Sequence, residues 1–87
     1  MPIRFAPSAI RFLDAQSQNV RSKLINDVVW LRDNSDDPSL EEYLAAPVVI
    51  KLYRDSFQWV LFYIETDFMV VANIGENNEN PHLWRVA

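Results

Sequence analysis

Eighty-seven residues suffice for one domain with a modest core, and 49% hydrophobic with 23% charged residues is the composition of a folded globular protein. The chain has no cysteine and one histidine, His82, which excludes disulfides, thiol chemistry, cysteine-based zinc sites and a histidine-rich metal centre, so no metal or cofactor is expected. The net charge of −4 is uneven: residues 1–35 carry five basic side chains against three acidic, and residues 36–87 carry three against nine. That acidic half argues against nucleic acid held broadly across it, because phosphate neutralisation supplies most of such affinity.

In chain order, Pro2 to Phe5 reads as a short strand. Pro7-Ser8 is a break, with Ser8 a fair N-cap for a short amphipathic helix through Ala9, Ile10, Phe12 and Leu13. Asn19 to Arg32 is the clearest helix, because Val20, Leu24, Val28 and Leu31 form one stripe at the 3.6-residue period. Asp37 as N-cap, Pro38 as first helical residue and Glu41-Glu42 in the first turn predict a further short helix to Leu44. Ala46-Pro47 stops it.

From Val48 to Ile74 three apolar, β-branched and aromatic runs (VVIKLYR, FQWVLFYIE and FMVVANI) are separated by Asp55-Ser56 and Thr66-Asp67, the pattern of a three-stranded antiparallel meander. With one glycine in the chain, the hairpins are expected to use loops of about three residues or more rather than tight primed turns. The middle run is apolar on both alternating faces: Phe57, Trp59, Leu61 and Tyr63 on one, Val60, Phe62 and Ile64 on the other. The helices can cover one face. The other is expected to be an open apolar surface offered to a protein partner or a second copy, unless the tail Pro81–Ala87 folds back over it. Trp59, Phe62, Tyr63 and Trp84 are the expected partner-binding residues. Residues 1–87 thus read as a single α+β domain: a short N-terminal strand, then two to three helices on one face of an antiparallel sheet of three to four strands.

Three segments in this order resemble the RelE/ParE superfamily, the toxins of bacterial type II toxin–antitoxin pairs: FAPSAIRFLDAQSQNVRSKLINDVVWL, PSLEEYL and LYRDSFQWVLFYIETDFMVVANIG. The resemblance implies that fold, a cognate antitoxin as partner, and either mRNA on the ribosome or, as in the ParE branch, DNA gyrase as target. Ribosome-dependent members are similar in cleaving mRNA with arginines, lysines and a tyrosine or histidine. The corresponding candidates here are Lys51, Arg54, Tyr63, His82 and Arg85. Such chemistry needs cations on the phosphate and an acid–base pair. The chain departs from the family where Asp55-Ser56-Phe57-Gln58-Trp59 replaces a glycine-tyrosine-arginine start, and where Glu76 follows Gly75 in place of positive charge. These departures favour a non-nuclease toxin or an inactive relative over an mRNA interferase, with a small dimeric scaffold as a third reading. Each candidate also has a plain structural role: solvated strand charges for Lys51 and Arg54, a loop position for His82, a packed ring for Tyr63 and core anchors for the tryptophans. No apolar run reaches about 18 residues and no signal peptide opens the chain, so a cytoplasmic protein without a membrane span is expected.

Overall fold

A computed structural model describes residues 1–45 and 47–79 of the chain. The elements are β1 (Ile3–Phe5), α1 (Pro7–Asp14), α2 (Gln18–Asp33), β2 (Glu41–Ala45), β3 (Val48–Arg54), β4 (Gln58–Ile64) and β5 (Met69–Glu76). The five strands form one sheet in the order β1-β5-β4-β3-β2, antiparallel except for the parallel pair of β1 with β5. The α+β fold and the meander match the sequence reading. The N-terminal strand is also found, and the sheet exceeds the expected three to four strands by β2.

Local chemistry explains each boundary. Pro7 occupies the first turn of α1, where a missing N–H costs nothing, after an extended Ala6. Ser8 is not the cap; its hydroxyl donates to the Ala72 carbonyl at 2.8 Å and ties the helix to β5. Helix α2 starts where the Ser17 hydroxyl accepts from the Val20 N–H, and ends where the Asn34 amide donates to the Trp30 carbonyl. Leu24, Val28 and Leu31 of the stripe are buried.

The predicted helix over 37–44 is replaced by a turn and strand β2. The Asp37 carboxylate does accept a backbone N–H, that of Ser39 at 2.8 Å, and it takes the Ser39 hydroxyl as well, closing a local turn. So short a segment nucleates a helix poorly. Five register pairs against β3 from Glu41↔Leu52 to Ala45↔Val48 outweigh the helix-start signals.

The hairpin loops have the expected length, three residues (55–57) between β3 and β4 and four (65–68) between β4 and β5. The Asp55 N–H donates to the Gln58 carbonyl and the Glu65 N–H to the Phe68 carbonyl. At the first, the Asp55 carboxylate accepts the N–H groups of Phe57 (2.7 Å) and Gln58 (2.8 Å), a local clamp that makes a glycine unnecessary.

Two apolar layers flank the sheet. On the helix side Ala9, Leu13, Leu24, Val28 and Leu31 pack on Val60, Phe62, Met69, Val71 and Ile74. On the other side Ile50, Leu52, Trp59 and Leu61 cluster with Tyr43 and Val48; among the described residues this layer draws on β2, β3 and β4 alone. Those four core residues are 0–2% exposed, so among the described residues the expected open greasy face is not seen. Residues 81–87, named as a possible cover, lie outside the described residues. Exposed apolar side chains are found on the helices, at Ile10, Ile25, Val29 and Trp30, in the sheet and its hairpin at Leu44, Val49 and Phe57, and at Met1. Among the described residues no helix is long and apolar enough to cross a membrane.

Gly75 sits opposite Trp59 in the β4–β5 register. A Cβ at position 75 would overlap the Trp59 indole. The indole N–H also donates to the carbonyls of Glu76 (3.0 Å) and Glu79 (3.1 Å), which fixes the ring against the chain leaving β5.

Candidate functional site

Strand parity decides which candidates can meet. Lys51 and Arg54 are three residues apart on β3 and therefore point to opposite faces. Arg54 lies across from Trp59 and Lys51 across from Phe62. For the same reason Trp59 and Phe62 belong to opposite layers, and at 2% and 0% exposure neither is offered to a partner at the surface. Tyr63, half-buried across from Ile50, shares the Arg54 face but stands four residues along β4 from Trp59, ~13 Å at about 3.3 Å per residue. Arg4, paired with Val70, is also on this face; its guanidinium stacks over the Phe68 ring at 4.1 Å, at the far margin of the sheet. His82, Trp84 and Arg85 lie outside the described residues. Lys51, Arg54 and Tyr63 are thus not gathered into one site.

The two β3 cations are each answered by carboxylates. Lys51 keeps only 12% of its side chain exposed, donates to the Ser35 carbonyl, and lies 3.3 Å from Glu42 and 3.9 Å from Asp36. On the other face Arg54 donates through Nε to Glu41 at 2.8 Å, and the Tyr43 hydroxyl donates to the second Glu41 oxygen at 2.9 Å. The Arg54 guanidinium, and after it the Tyr43 hydroxyl, holds the Glu41 carboxyl below its ordinary range, while Glu41 raises both Arg54 and Tyr43. Glu41 was hidden from sequence reasoning because it falls in the segment predicted as helix. A phosphate approaching either cation meets a carboxylate already bound there.

A second polar cluster lies at the end of the layer where α2 begins. Lys23 bridges Asp27 at 2.6 Å and Asp55 at 2.5 Å. Burial works against the charge of Lys23, but the hydrogen bonds it donates to Asp27 and then Asp55 outweigh it and raise the pKa. Burial likewise works against the charge of Asp55, and Lys23 with the N–H groups of Gln58 and Phe57 brings its pKa below the ordinary 3.8. Beside this cluster a cavity of about 490 Å³ is lined by Gln16, Val20, Lys23, Phe57, Gln58 and Glu76. The cross-strand register that joins Gln58 to Glu76 carried no sequence signal. Among the described residues no three acidic or histidine side chains gather as a metal site would require.

The sign of the Asp55 shift sets an acid-side expectation. A carboxylate with a lowered folded pKa stabilises fully above its unfolded value, and that contribution is lost as pH falls through the folded value. Urea midpoints measured downward from pH 7 to below 3.8 should therefore fall less in Asp55→Asn than in the parent chain. An undiminished fall in the variant would remove Asp55 from the account.

The sequence matches no family model, and no curated protein matches it. The fold does have a match. The crystal structure of the isolated E. coli RelE toxin superposes with a TM-score of 0.68 over 97% of this chain and 90% of that one, at 13% sequence identity. The β1-α1-α2-meander arrangement is therefore a RelE-like fold.

Proposed function

We propose that this protein is the toxin component of a type II toxin–antitoxin pair, or a degenerate relative, and that it acts through tight binding to a cognate antitoxin. The observation that carries this reading is the likeness to the RelE toxin across almost the whole chain. A protein-binding role is favoured over mRNA cleavage by the site chemistry: Lys51 and Arg54 point apart, and each faces its own carboxylates. Mutual neutralisation of this kind leaves little to hold a phosphate or an oxyanion. The apolar surface available to an antitoxin is on α2, where Ile25, Val29 and Trp30 are 37–45% exposed, rather than at the internal Trp59 and Phe62. A ParE-like gyrase target fits the same reading.

The second reading, a ribosome-dependent mRNA endoribonuclease, keeps one specific support: Arg54 is 43% exposed at its side chain on the same face as Tyr63. Induced expression in a bacterial host separates the two. Growth arrest relieved by the protein of the adjoining reading frame, with ribosome-bound mRNA intact, is the expected outcome, and inhibited supercoiling would identify gyrase. Cleaved mRNA, lost on Arg54→Ala without unfolding, would establish the endoribonuclease. No growth effect together with a stable homodimer would leave the scaffold reading. Trp30→Glu is expected to abolish antitoxin rescue while leaving the urea midpoint within the range of a surface change, about ±0.5 kcal/mol.

A further inference from the structure

The two edges of the sheet are defended differently. Strand β1 is three residues long, is bracketed by Pro2 and Pro7, and carries the charge of Arg4, all features that discourage a further strand. Strand β2 at the other edge lacks this protection. Its five residues Glu41–Ala45 pair with β3 in unbroken register, contain no proline or lysine, and among the described residues have no strand on their outer side. Only its two glutamates could ward off a newcomer, and both are engaged from within: Glu41 by Arg54 at 2.8 Å and Glu42 by Lys51 at 3.3 Å. Leu44 projects into water at 89% exposure, with its register partner Val49 39% exposed beside it. Val49 is two residues from Lys51 and so shares the helix-side face, where the cover ends as Lys51 meets the Ser35 carbonyl. This rim of the sheet therefore presents open backbone groups and an apolar pair that the helices leave uncovered.

We propose that β2 is the contact between two copies of this chain, which join antiparallel, β2 to β2, into one continuous sheet. Pairing of a strand with itself in this way is isologous, so a single two-fold axis closes it and no filament can grow. With the axis at Leu44, that side chain meets the partner's Leu44, and Val49 and the partner's Val49 extend the apolar strip on either side. Glu41 and Glu42 then fall away from the axis, and neither stands opposite its counterpart. Charge favours a second copy over a foreign segment. The glutamates are answered within their own protomer, so two copies meet without bare like charges, and β2 keeps no unpaired charge to select an oppositely charged partner. Order favours it too: a strand held in a folded sheet arrives extended, whereas a loose segment must be ordered as it binds. A five-residue edge with one leucine pair falls short of the ~1,600 Å² of a standard interface, so the dimer is reversible rather than obligate.

The pairing stands apart from the toxin reading and is measured on the full-length protein alone. Sedimentation velocity from about 10 µM to about 1 mM, the range suited to so small a contact, is expected to show the dimer fraction rising with concentration. In an equal mixture of isotope-labelled and unlabelled protein, filtered NOEs should connect the Leu44 methyl groups of one copy with those of the other. Leu44→Lys, a change at an exposed site, should keep the urea midpoint at low concentration and weaken association by at least about tenfold, because like charges then face each other across the axis. Trp30→Glu should leave association unchanged. A monomer at every concentration, a dimer that survives Leu44→Lys, or one lost in Trp30→Glu would overturn the pairing. So would loss of antitoxin rescue in Leu44→Lys, which would assign this edge to the antitoxin. A monomer that arrests growth strikes the pairing alone, whereas a dimer joined through Leu44 that arrests nothing strikes the toxin reading alone.

Discussion

Phe62→Ala is expected to cost about 3–5 kcal/mol, the range for removing a buried aromatic ring, and so most of the stability of so small a domain. Phe62 is 0% exposed and sits in the helix-side layer with Leu24 and Val28. The loss should appear as a lowered urea midpoint of the isolated protein, before any partner is added. A variant that keeps its midpoint but loses a binding partner would instead make Phe62 an interface residue, and would contradict the packing described above.

Gly75→Ala carries the second large effect. One methyl group placed against the Trp59 indole forces either the ring or strand β5 to move, and overpacking of this kind costs about 1–3 kcal/mol. Trp59→Phe is destabilising by itself, because it leaves the Glu76 and Glu79 carbonyls without their indole donor. In the double variant the smaller ring makes room for the new methyl group. Its loss should then fall short of the sum of the two single losses by at least about 0.5 kcal/mol, as expected for residues in direct contact. Additive losses would show that the clash is relieved elsewhere.

Much of the architecture could be read from residue patterns. The α2 stripe and the three meander runs carry local periodicities strong enough to decide their own structure, and β3 was expected with its observed bounds. Strand β2 was not legible, since Asp37, Pro38 and two glutamates carry helix-start signals, and only pairing with the next strand, β3, reverses them. The separation of Lys51 from Arg54 was legible in principle: three residues along a strand is an odd spacing, and odd spacings change faces. The same parity divides Trp59 from Phe62. By contrast, the burial of Ile50, Leu52, Trp59 and Leu61 depends on what packs over a sheet face, which alternation alone does not specify. The pairing of Gln58 with Glu76 requires the register across an irregularity at Leu61/Phe62, and no count along the sequence supplies it.

The parallel pairing of β1 with β5 has a consequence for biosynthesis. Ile3, Arg4 and Phe5 find their partners in Met69, Val70 and Val71, almost at the other end of the chain. While the polypeptide is being translated, β1 has nothing to join until β5 emerges, and the sheet lacks that edge until then. Long-range closure of this sort is slow to form and comes late. The nascent chain is therefore incomplete as a folded unit until β5 has emerged, and any activity that needs the finished sheet waits for that strand.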